Sequence, residues 1–238
     1  MNLILLHPED LCEEGVYRLR GRRFEHIRHV HRADTGATLR VGFINGDIGT
    51  GVVLELSDKQ ATLAVTYAQK PPAALPLTLI LGLPRPRMLK RTLQTVAAMG
   101  VKKIVLLNGY RVEKSYWQTP ILTAEGLAEH LHLGLEQAVD TVLPKVVLQR
   151  RFKPFVEDEL PAIAEGTRGL VAHPYDAQPL PAAEKTPTTL AIGPEGGFIP
   201  YEIQKLREAG LEPVHMGPRI LRVETAVPSL LSRLFPIT

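Results

Sequence analysis

The sequence predicts an α/β protein with a mostly parallel sheet, preceded by a small barrel-like β domain. From Met1 to about Lys70, short strand-like runs are separated by turns, whereas from Leu77 onward apolar runs alternate with helix-like segments. Between the two regions, residues 71–76 belong to a proline-rich extended stretch that is typical of a linker. We therefore predict domains at 1–70 and 77–238, joined by 71–76.

The N-terminal region is predicted to be built from strands. These are NLILL, TLRVGF, TGVVLEL and ATLAVTY, at residues 2–6, 38–43, 50–56 and 61–67. Asn45-Gly46, between the second and third, is a strong hairpin signal, and Phe24–His31 is expected to add a helical turn. Strands of this length at close spacing favour a barrel-like domain.

Beyond the linker, strand and helix signals alternate. LTLILGL, at Leu77–Leu83, is continuously apolar, as expected for a strand buried on both faces of a parallel sheet. Arg87–Met99 has apolar residues at helical spacing and is followed by Gly100, a favoured C′ residue. Further strands are predicted at 102–108, 146–148 and 169–174, and further helices at 123–141 and 155–165. This alternation indicates a parallel sheet with helices on both faces.

Two glycine-bearing segments near the C-terminus form the candidate site. Thr188–Phe198 reads TTLAIGPEGGF and Val214–Ala226 reads VHMGPRILRVETA. In each, an apolar run stops at a glycine turn and a helix-like pattern follows. Because ligands of open parallel sheets lie beyond the carboxyl ends of strands, the two turns are expected to share a pocket. Glycine there lets the backbone approach a ligand closely.

Several common sites are not indicated. The sequence has no GxxxxGK[ST], no GxGxxG and no GxSxG, and the strand after GPEGG ends without a ribose-binding acid. His26, His29 and His31 lie among arginines that would repel a cation, so no metal site is predicted. His173 is expected only at the edge of the pocket.

Charge and cysteine content indicate which partners and which cellular compartment to expect. The formal charge is +3, but basic residues cluster in three windows, 18–32, 84–103 and 145–153, whose only acid is Glu25. Such clusters are typical of a phosphate-backbone partner, with a solvated charged face as the alternative. The single cysteine, Cys12, fits a reducing compartment, and no signal peptide or membrane span is predicted. We expect a cytoplasmic protein.

Three motifs together resemble the ribosomal RNA small-subunit methyltransferase E family of the SPOUT superfamily. They are LILGL at 79–83, IGPEGGF at 192–198 and MGPRILRVETA at 216–226. The resemblance covers essentially the whole chain, including an N-terminal PUA-like β-barrel, and the paired glycine motifs are far more specific than either alone. It implies S-adenosyl-L-methionine as methyl donor and N3 of a 16S ribosomal RNA uridine, within the small ribosomal subunit, as acceptor. It also implies a homodimer with a trefoil-knotted catalytic domain.

The resemblance assigns roles to individual residues. The implied cofactor-binding residues are Ile192, Gly193, Pro194, Glu195, Gly196, Gly197, Met216, Gly217, Arg219, Ile220, Leu221, Thr225 and Ala226. The proton on uridine N3 must leave, so Glu224 is a candidate base and Arg222 a candidate to steady the developing anion. The alternative is that Glu224 caps the last helix and pairs with Arg222, since acids favour helix N-termini. The candidate RNA contacts are Arg22, Arg23, His26, Arg28, Arg32, Arg85, Arg87, Lys90, Arg91 and Arg111.

Two segments depart from the family pattern. Residues 138–141 replace a small residue, glycine and arginine after Glu136-Gln137, and NGYRVEK replaces a Ser-x-Arg-Ser pattern, leaving Arg111 as the counterpart of its arginine. Two alternatives follow: another RNA target, or a catalytically silent RNA-binding assembly factor. Pro228 is expected in the first turn of a helix that begins near residue 224 or 225. The apolar residues that follow, Leu230, Leu231, Leu234 and Phe235, fit either a dimer face or the core.

Overall fold

The computed structural model describes residues 2–235 of a chain that divides into two compact units. The first unit comprises Met1–Ala73 and His132–Leu143, and the second comprises Ala74–Leu131 and Pro144–Thr238. The break after Ala73 falls inside the proline-rich segment. The inclusion of residues 132–143 in the first unit is a feature that a linear division of the sequence does not contain.

Strands of the first unit form one mixed sheet. The strands are β1 (Ile4–Leu6), β2 (Leu11–Glu13), β3 (Val16–Leu19), β4 (Thr38–Phe43), β5 (Ile48–Leu56) and β6 (Ala61–Gln69). Their order is β1-β4-β5-β6-β3-β2, with β1 parallel to β4 and the other pairs antiparallel. The hairpin predicted at Asn45-Gly46 is confirmed, and Asn45 has a φ of 58°. The sequence missed β2 and β3, and all three residues of β2 are exposed, so it shows no alternation.

A short helix closes onto the core of this unit. Helix α1 (Gly21–Glu25) continues as a π-helical turn at His26–His31, which confirms the predicted helical turn. Phe24 and Ile27 are fully buried among Leu19, Val41 and Leu63 of the sheet. The apolar face of this turn therefore belongs to the core, whereas His29, His31 and Arg32 are exposed.

Two of the candidate RNA contacts in this unit are engaged in internal ion pairs. Arg22 donates to both carboxylate oxygens of Glu136 at 2.8 Å, and Arg23 donates to Asp10. The Glu136 and Asp10 side chains are 2% and 6% exposed. A buried carboxylate requires a cationic partner to offset its desolvation, so both arginines have a structural role. Their contact with RNA stays a prediction.

Acid is expected to destabilise the first unit through His132. The rings of His7 and His132 lie 4.9 Å apart, and burial, with the charges of His7, Arg22 and Arg23, lowers the pKa of His132 from 6.5 to about 4. Between these values the unfolded chain binds a proton that the native state does not, so stability falls as the pH drops from 6.5 towards 4. Urea unfolding near pH 7 and near pH 5 measures this loss in wild type and in His132→Gln. The variant is expected to lose less unfolding free energy on acidification, and equal losses would exclude His132 as the cause.

The second unit contains a seven-stranded, fully parallel sheet. Its strands are β7 (Leu77–Gly82), β8 (Lys103–Leu107), β9 (Lys145–Gln149), β10 (Arg168–Ala172), β11 (Gln178–Pro179), β12 (Thr188–Ile192) and β13 (Glu212–His215). Their order is β11-β13-β10-β12-β7-β8-β9. This confirms the predicted α/β class with a parallel sheet. The central pair, β12 and β7, is buried along nearly its whole length, as the continuous apolar runs predict.

Helices cover both faces of this sheet. The helices that lie wholly in this unit are α2 (Pro86–Ala98), α4 (Phe152–Pro154), α5 (Leu160–Ala164), α6 (Pro200–Glu208) and α7 (Val223–Leu234), whereas α3 (Ala124–Ala138) contains the boundary between residues 131 and 132. On one face, Ile80 and Ala191 pack with Phe155, Leu160 and Leu206. Alternate residues of the same strands point to the opposite face, where α2 packs against α7. No helix within residues 2–235 is long and apolar enough to cross a bilayer.

Helix α7 corrects one expectation and decides between two alternatives. It begins at Val223, so Pro228 lies in its second turn rather than its first. There the proline has no N–H to donate to the carbonyl of Glu224, four residues before it. The apolar residues that follow are core, which rules out the alternative that they form a dimer face. These are Leu230, Leu231, Leu234 and Phe235, all at most 5% exposed.

Candidate functional site

A cavity of about 360 Å³ lies in the second unit, beyond the carboxyl ends of β10, β12 and β13. It brings the two glycine-bearing segments together, as the strand-end rule predicts. Twelve of the thirteen residues proposed for cofactor binding line it. They are Ile192, Gly193, Pro194, Glu195, Gly196, Gly197, Met216, Gly217, Arg219, Ile220, Leu221 and Ala226.

The first wall of the cavity is the loop after β12, and it is packed tightly against its own backbone. The N–H of Gly197 donates to the carbonyl of Pro194 at 2.7 Å, which closes a turn. A Cβ on Gly193 would lie 2.9 Å from the nitrogen of Phe198 and 3.0 Å from Cα of Gly197. A Cβ contact shorter than 3.0 Å is essentially never found in proteins, and the atoms in the way are backbone, so any side chain at position 193 would force this loop to shift. The carboxylate of Glu195 accepts a hydrogen bond from the N–H of Arg85 at 3.0 Å, which ties the loop to the start of α2.

The second wall is the loop between β13 and α7. Gly217 has a φ of 110°, a conformation that side-chain-bearing residues avoid, and its N–H donates to Nδ1 of His215 at 3.0 Å. Since Nδ1 accepts, a neutral His215 carries its proton on Nε2. Beyond this turn, Ile220 and Leu221 line the cavity while 69% and 38% exposed. The loop therefore presents apolar side chains to an open cavity rather than to a closed core.

Arg111 also belongs to the cavity, although the sequence assigned it to RNA. Its guanidinium donates to the carbonyl of Gly196, and its aliphatic carbons lie against the open side of that glycine. Arg111 thereby holds the GPEGG loop from outside while remaining exposed. Arg111 therefore links the GPEGG loop to the NGYRVEK segment, in which this chain departs from the family pattern.

Among the candidate catalytic and cofactor-binding residues, three lie outside the lining of the cavity: Arg222, Glu224 and Thr225. Arg222 precedes α7, and its carbonyl accepts from the N–H of Thr225 at 3.0 Å. Glu224 occupies the first turn of α7, where a negative charge is stabilised by the helix dipole. This position is the one that the capping alternative requires. The catalytic roles of Arg222 and Glu224 stay predictions.

The sequence missed most of the third wall, which is contributed by the end of β10. Tyr175 and Pro174 line the cavity together with His173, which was expected at its edge. The N–H of His173 donates to the carbonyl of Val214 at 3.0 Å. Burial, assisted by the charge of Arg207 and opposed by that of Asp176, lowers the pKa of His173, so the ring is neutral at pH 7. The signal that could have found this wall is topological, because β10 lies between β12 and β13.

The remaining lining residues are apolar or lie in the strands themselves. Val214, His215 and Val223 belong to the candidate segment Val214–Ala226, although no individual role was predicted for them, and Ala172 and Leu230 were missed as lining residues. Within residues 2–235, no group of three or more His, Cys, Asp or Glu side chains is arranged to hold a metal ion.

The candidate RNA contacts fall into two groups by unit. In the second unit, Arg85, Arg87, Lys90, Arg91 and Arg111 are all exposed. In the first unit, Arg32 is exposed, whereas Arg28 lies 5.9 Å from the ring of Phe24 and near Asp58. His26 is half-buried and its ring lies 4.8 Å from that of His31.

Comparison with known proteins decides the family. Residues 71–235 match the family model described as an RNA methyltransferase domain. A ribosomal RNA small subunit methyltransferase E from Treponema pallidum is 30% identical over 232 residues, covering 95% of this chain and 87% of that protein. The chain belongs to the ribosomal RNA small subunit methyltransferase E family. A member from Synechocystis is 26% identical and covers 94% of this chain and 73% of its own.

Solved structures of similar proteins show the same fold. A methyltransferase from Legionella pneumophila, solved with its cofactor SAM bound, has a TM-score of 0.77 at 22% identity and covers 97% of this chain and 95% of its own. The Neisseria gonorrhoeae member of the family, bound to S-adenosyl methionine, has a TM-score of 0.76 at 21% identity and covers 98% and 95%. The family resemblance stated from the motifs is confirmed by the match to the Treponema pallidum protein, and these structures show that the fold is shared.

Proposed function

We propose that this protein transfers a methyl group from S-adenosylmethionine to N3 of a uridine in 16S ribosomal RNA. The observation that carries the proposal is the joining of the two family motifs into one cavity. We further propose that it acts in the cytoplasm on the small ribosomal subunit, as a homodimer with a knotted catalytic domain. In the same proposal, the first unit is a PUA-like RNA-binding domain.

The cavity has the composition that S-adenosylmethionine requires. Its volume of about 360 Å³ lies within the range of small-molecule sites. Apolar side chains suited to an adenine ring come from Met216, Ile220, Leu221 and Leu230. Gly197 and Gly217, where nothing lies within 4 Å of a Cβ position, leave backbone groups accessible to polar parts of the donor. When bound, S-adenosylmethionine supplies an electrophilic methyl group on a sulfonium.

The residues of this chain contribute mainly by holding the reactants. Alignment of donor and acceptor supplies much of the rate of a displacement, so loops fixed by their own hydrogen bonds suit this reaction. Arg111, in the cavity wall, and Arg85, at the start of α2, hold the GPEGG loop in place. The proton at N3 must leave, and the candidate acceptor is Glu224, directly or through water. Arg222, two residues before it, is the candidate to stabilise the developing anion.

Calorimetry with S-adenosylmethionine tests the donor. We expect saturable binding, and no heat at millimolar ligand would overturn the enzyme proposal in favour of a silent RNA-binding factor. Methyl transfer to small-subunit RNA from a radiolabelled donor tests the acceptor. Donor binding without transfer to 16S RNA would instead favour another RNA target.

The exposed face of α2 is expected to contact the RNA backbone. Lys90 and Arg91 follow Arg87 by three and four residues on this helix. All three side chains therefore lie on one side of α2, opposite its buried face. Replacing all three by glutamine should weaken RNA binding and reduce the slope of log K against log salt by about 2 to 3, because each phosphate contact contributes about 0.7 to 0.9.

A matched control uses basic residues outside the three windows. Lys185 and Arg233 are exposed in the same unit, and their replacement by glutamine is expected to leave the salt slope close to that of wild type. An unchanged slope in the α2 variant would show that these charges form a solvated face and do not contact the RNA backbone. Titration of a short single-stranded RNA at several salt concentrations provides both slopes.

A further inference from the structure

Tyr110 is a large side chain left in solvent on a backbone that is held in place. It is 80% exposed, more than any other large hydrophobic residue described. Before it, the N–H of Asn108 donates to the carbonyl of Gln149 at 2.8 Å, and the side chain of Asn108 accepts from Nε1 of Trp117 at 2.9 Å. The exposed ring is therefore presented by an ordered loop and not by a frayed one.

The same loop is tied to the GPEGG segment by a buried carboxylate. Glu202 is only 3% exposed. Its carboxylate oxygen Oε1 accepts a hydrogen bond from the N–H of Tyr110 at 2.7 Å. Its Oε2 accepts from the N–H of Ile199 at 2.9 Å, where the GPEGG segment enters α6. Hydrogen bonds to a charged acceptor are stronger than neutral ones. Glu202 thereby fixes Tyr110 relative to the donor-side loop.

Tyr110 directly precedes a residue of the cavity wall in the sequence. Arg111 lines the cavity and donates to Gly196, so the ring of Tyr110 projects from a residue adjacent to the cavity wall. Burying an aromatic ring is favourable, and an exposed one at a fixed position is suited to contact with a flat partner. Among RNA groups, an unpaired base offers such a face.

We propose that Tyr110 stacks on an unpaired nucleobase of the RNA at the mouth of the donor cavity. The inference rests on the proposed function and deepens it. N3 of uridine lies on the pairing edge, so the acceptor base must be unpaired and unstacked before it is methylated. Stacking on an aromatic side chain compensates for the lost neighbours, and it tolerates any base because every base has a π face. Tyr110 is thus a residue for acceptor affinity, whereas the glycine loops serve the donor.

A series at position 110 tests the proposal by separating ring from volume. Tyr110→Phe and Tyr110→Trp keep an aromatic face, Tyr110→Leu keeps apolar volume, and Tyr110→Ala removes both. We expect the alanine and leucine variants to raise KM for RNA roughly tenfold, and the phenylalanine and tryptophan variants to stay within about twofold of wild type. The Kd for S-adenosylmethionine and the salt slope of RNA binding should not change in any of them, because no charge is altered.

Three outcomes would overturn the proposal. The first is an alanine variant with the KM of wild type. The second is a leucine variant that behaves like phenylalanine, which would indicate a hydrophobic contact without stacking. The third is a change in the mass of the alanine variant in solution, measured by sedimentation, which would assign Tyr110 to a contact between copies of this chain. If wild type itself transfers no methyl group to RNA, the proposed function fails, and that result is distinct from all three.

Discussion

Gly193→Ala is expected to abolish binding of S-adenosylmethionine. The added Cβ would lie 2.9 Å from the nitrogen of Phe198 and 3.0 Å from Cα of Gly197, and both are backbone atoms that no side-chain rotation can move. The GPEGG loop must open to accept it, which displaces the cavity wall. A displacement of about 1 Å in a site of this kind can cost about a hundredfold in function. Calorimetry with S-adenosylmethionine measures the loss, and circular dichroism checks that the fold is retained.

Gly196→Ala in the same loop is the matched control. The residue pattern alone predicts that Gly196→Val abolishes donor binding while leaving RNA affinity nearly intact. In the structure, the three atoms nearest to a Cβ at Gly196 are Cδ, Cβ and Cγ of Arg111, at 2.9, 3.1 and 3.5 Å. Because Cδ can rotate away and Cβ needs to shift by only a few tenths of an ångström, we expect Gly196→Ala to lose about tenfold or less. Equal losses at positions 193 and 196 would contradict the packing account of this loop.

Glu202→Ala is expected to give the largest loss of stability among the site-supporting residues. The substitution removes two charge-assisted hydrogen bonds, to the N–H groups of Tyr110 and Ile199, and leaves those donors without their acceptor. Each such bond contributes about 1.5 to 3 kcal/mol, so the free energy of unfolding should fall by about 3 kcal/mol or more. The carboxylate also lies in the first turn of α6, where the helix dipole favours it.

Urea unfolding measures this change, with Glu208→Ala as the control on the same helix. Glu208 is exposed and pairs with Lys205 at the surface, so its removal should change stability far less. In Glu202→Ala we also expect the KM for RNA to rise, since Tyr110 and Arg111 lose their anchor. A Glu202→Ala protein as stable as Glu208→Ala would show that the carboxylate does not hold the loop.

Much of the catalytic unit could be predicted from the sequence because its signals are local. The continuous apolar run of β7 predicts a strand that is buried on both faces, and the glycine turns after β12 and β13 mark strand ends. The strand-end rule then places both turns at one edge of the sheet. These local signals placed the two turns in one pocket, whereas the individual cofactor-binding residues were named from the family resemblance.

Other parts of the site depend on contacts between distant segments, which no local pattern contains. The third wall of the cavity comes from β10, whose place in the sheet is set by strand order rather than by composition. Arg111 and Gly196 are 85 residues apart, and Tyr110 and Glu202 are 92 apart. The basic window that includes Arg22 and Arg23 likewise depends on contacts that no local pattern contains. Charge density alone suggests RNA contact, but two of its arginines neutralise the buried Glu136 and Asp10.

Mapping methylated nucleotides in 16S ribosomal RNA tests the central proposal most directly. Ribosomal RNA from a strain that lacks this gene is digested and examined by mass spectrometry before and after incubation of its small subunits with the purified protein and S-adenosylmethionine. We expect one methyl-uridine to be missing in the deletion strain and to be restored, with the methyl group on N3, by the wild-type protein but not by Gly193→Ala. A complete set of methyl-uridines in the deletion strain, or restoration at another atom, would contradict the proposal.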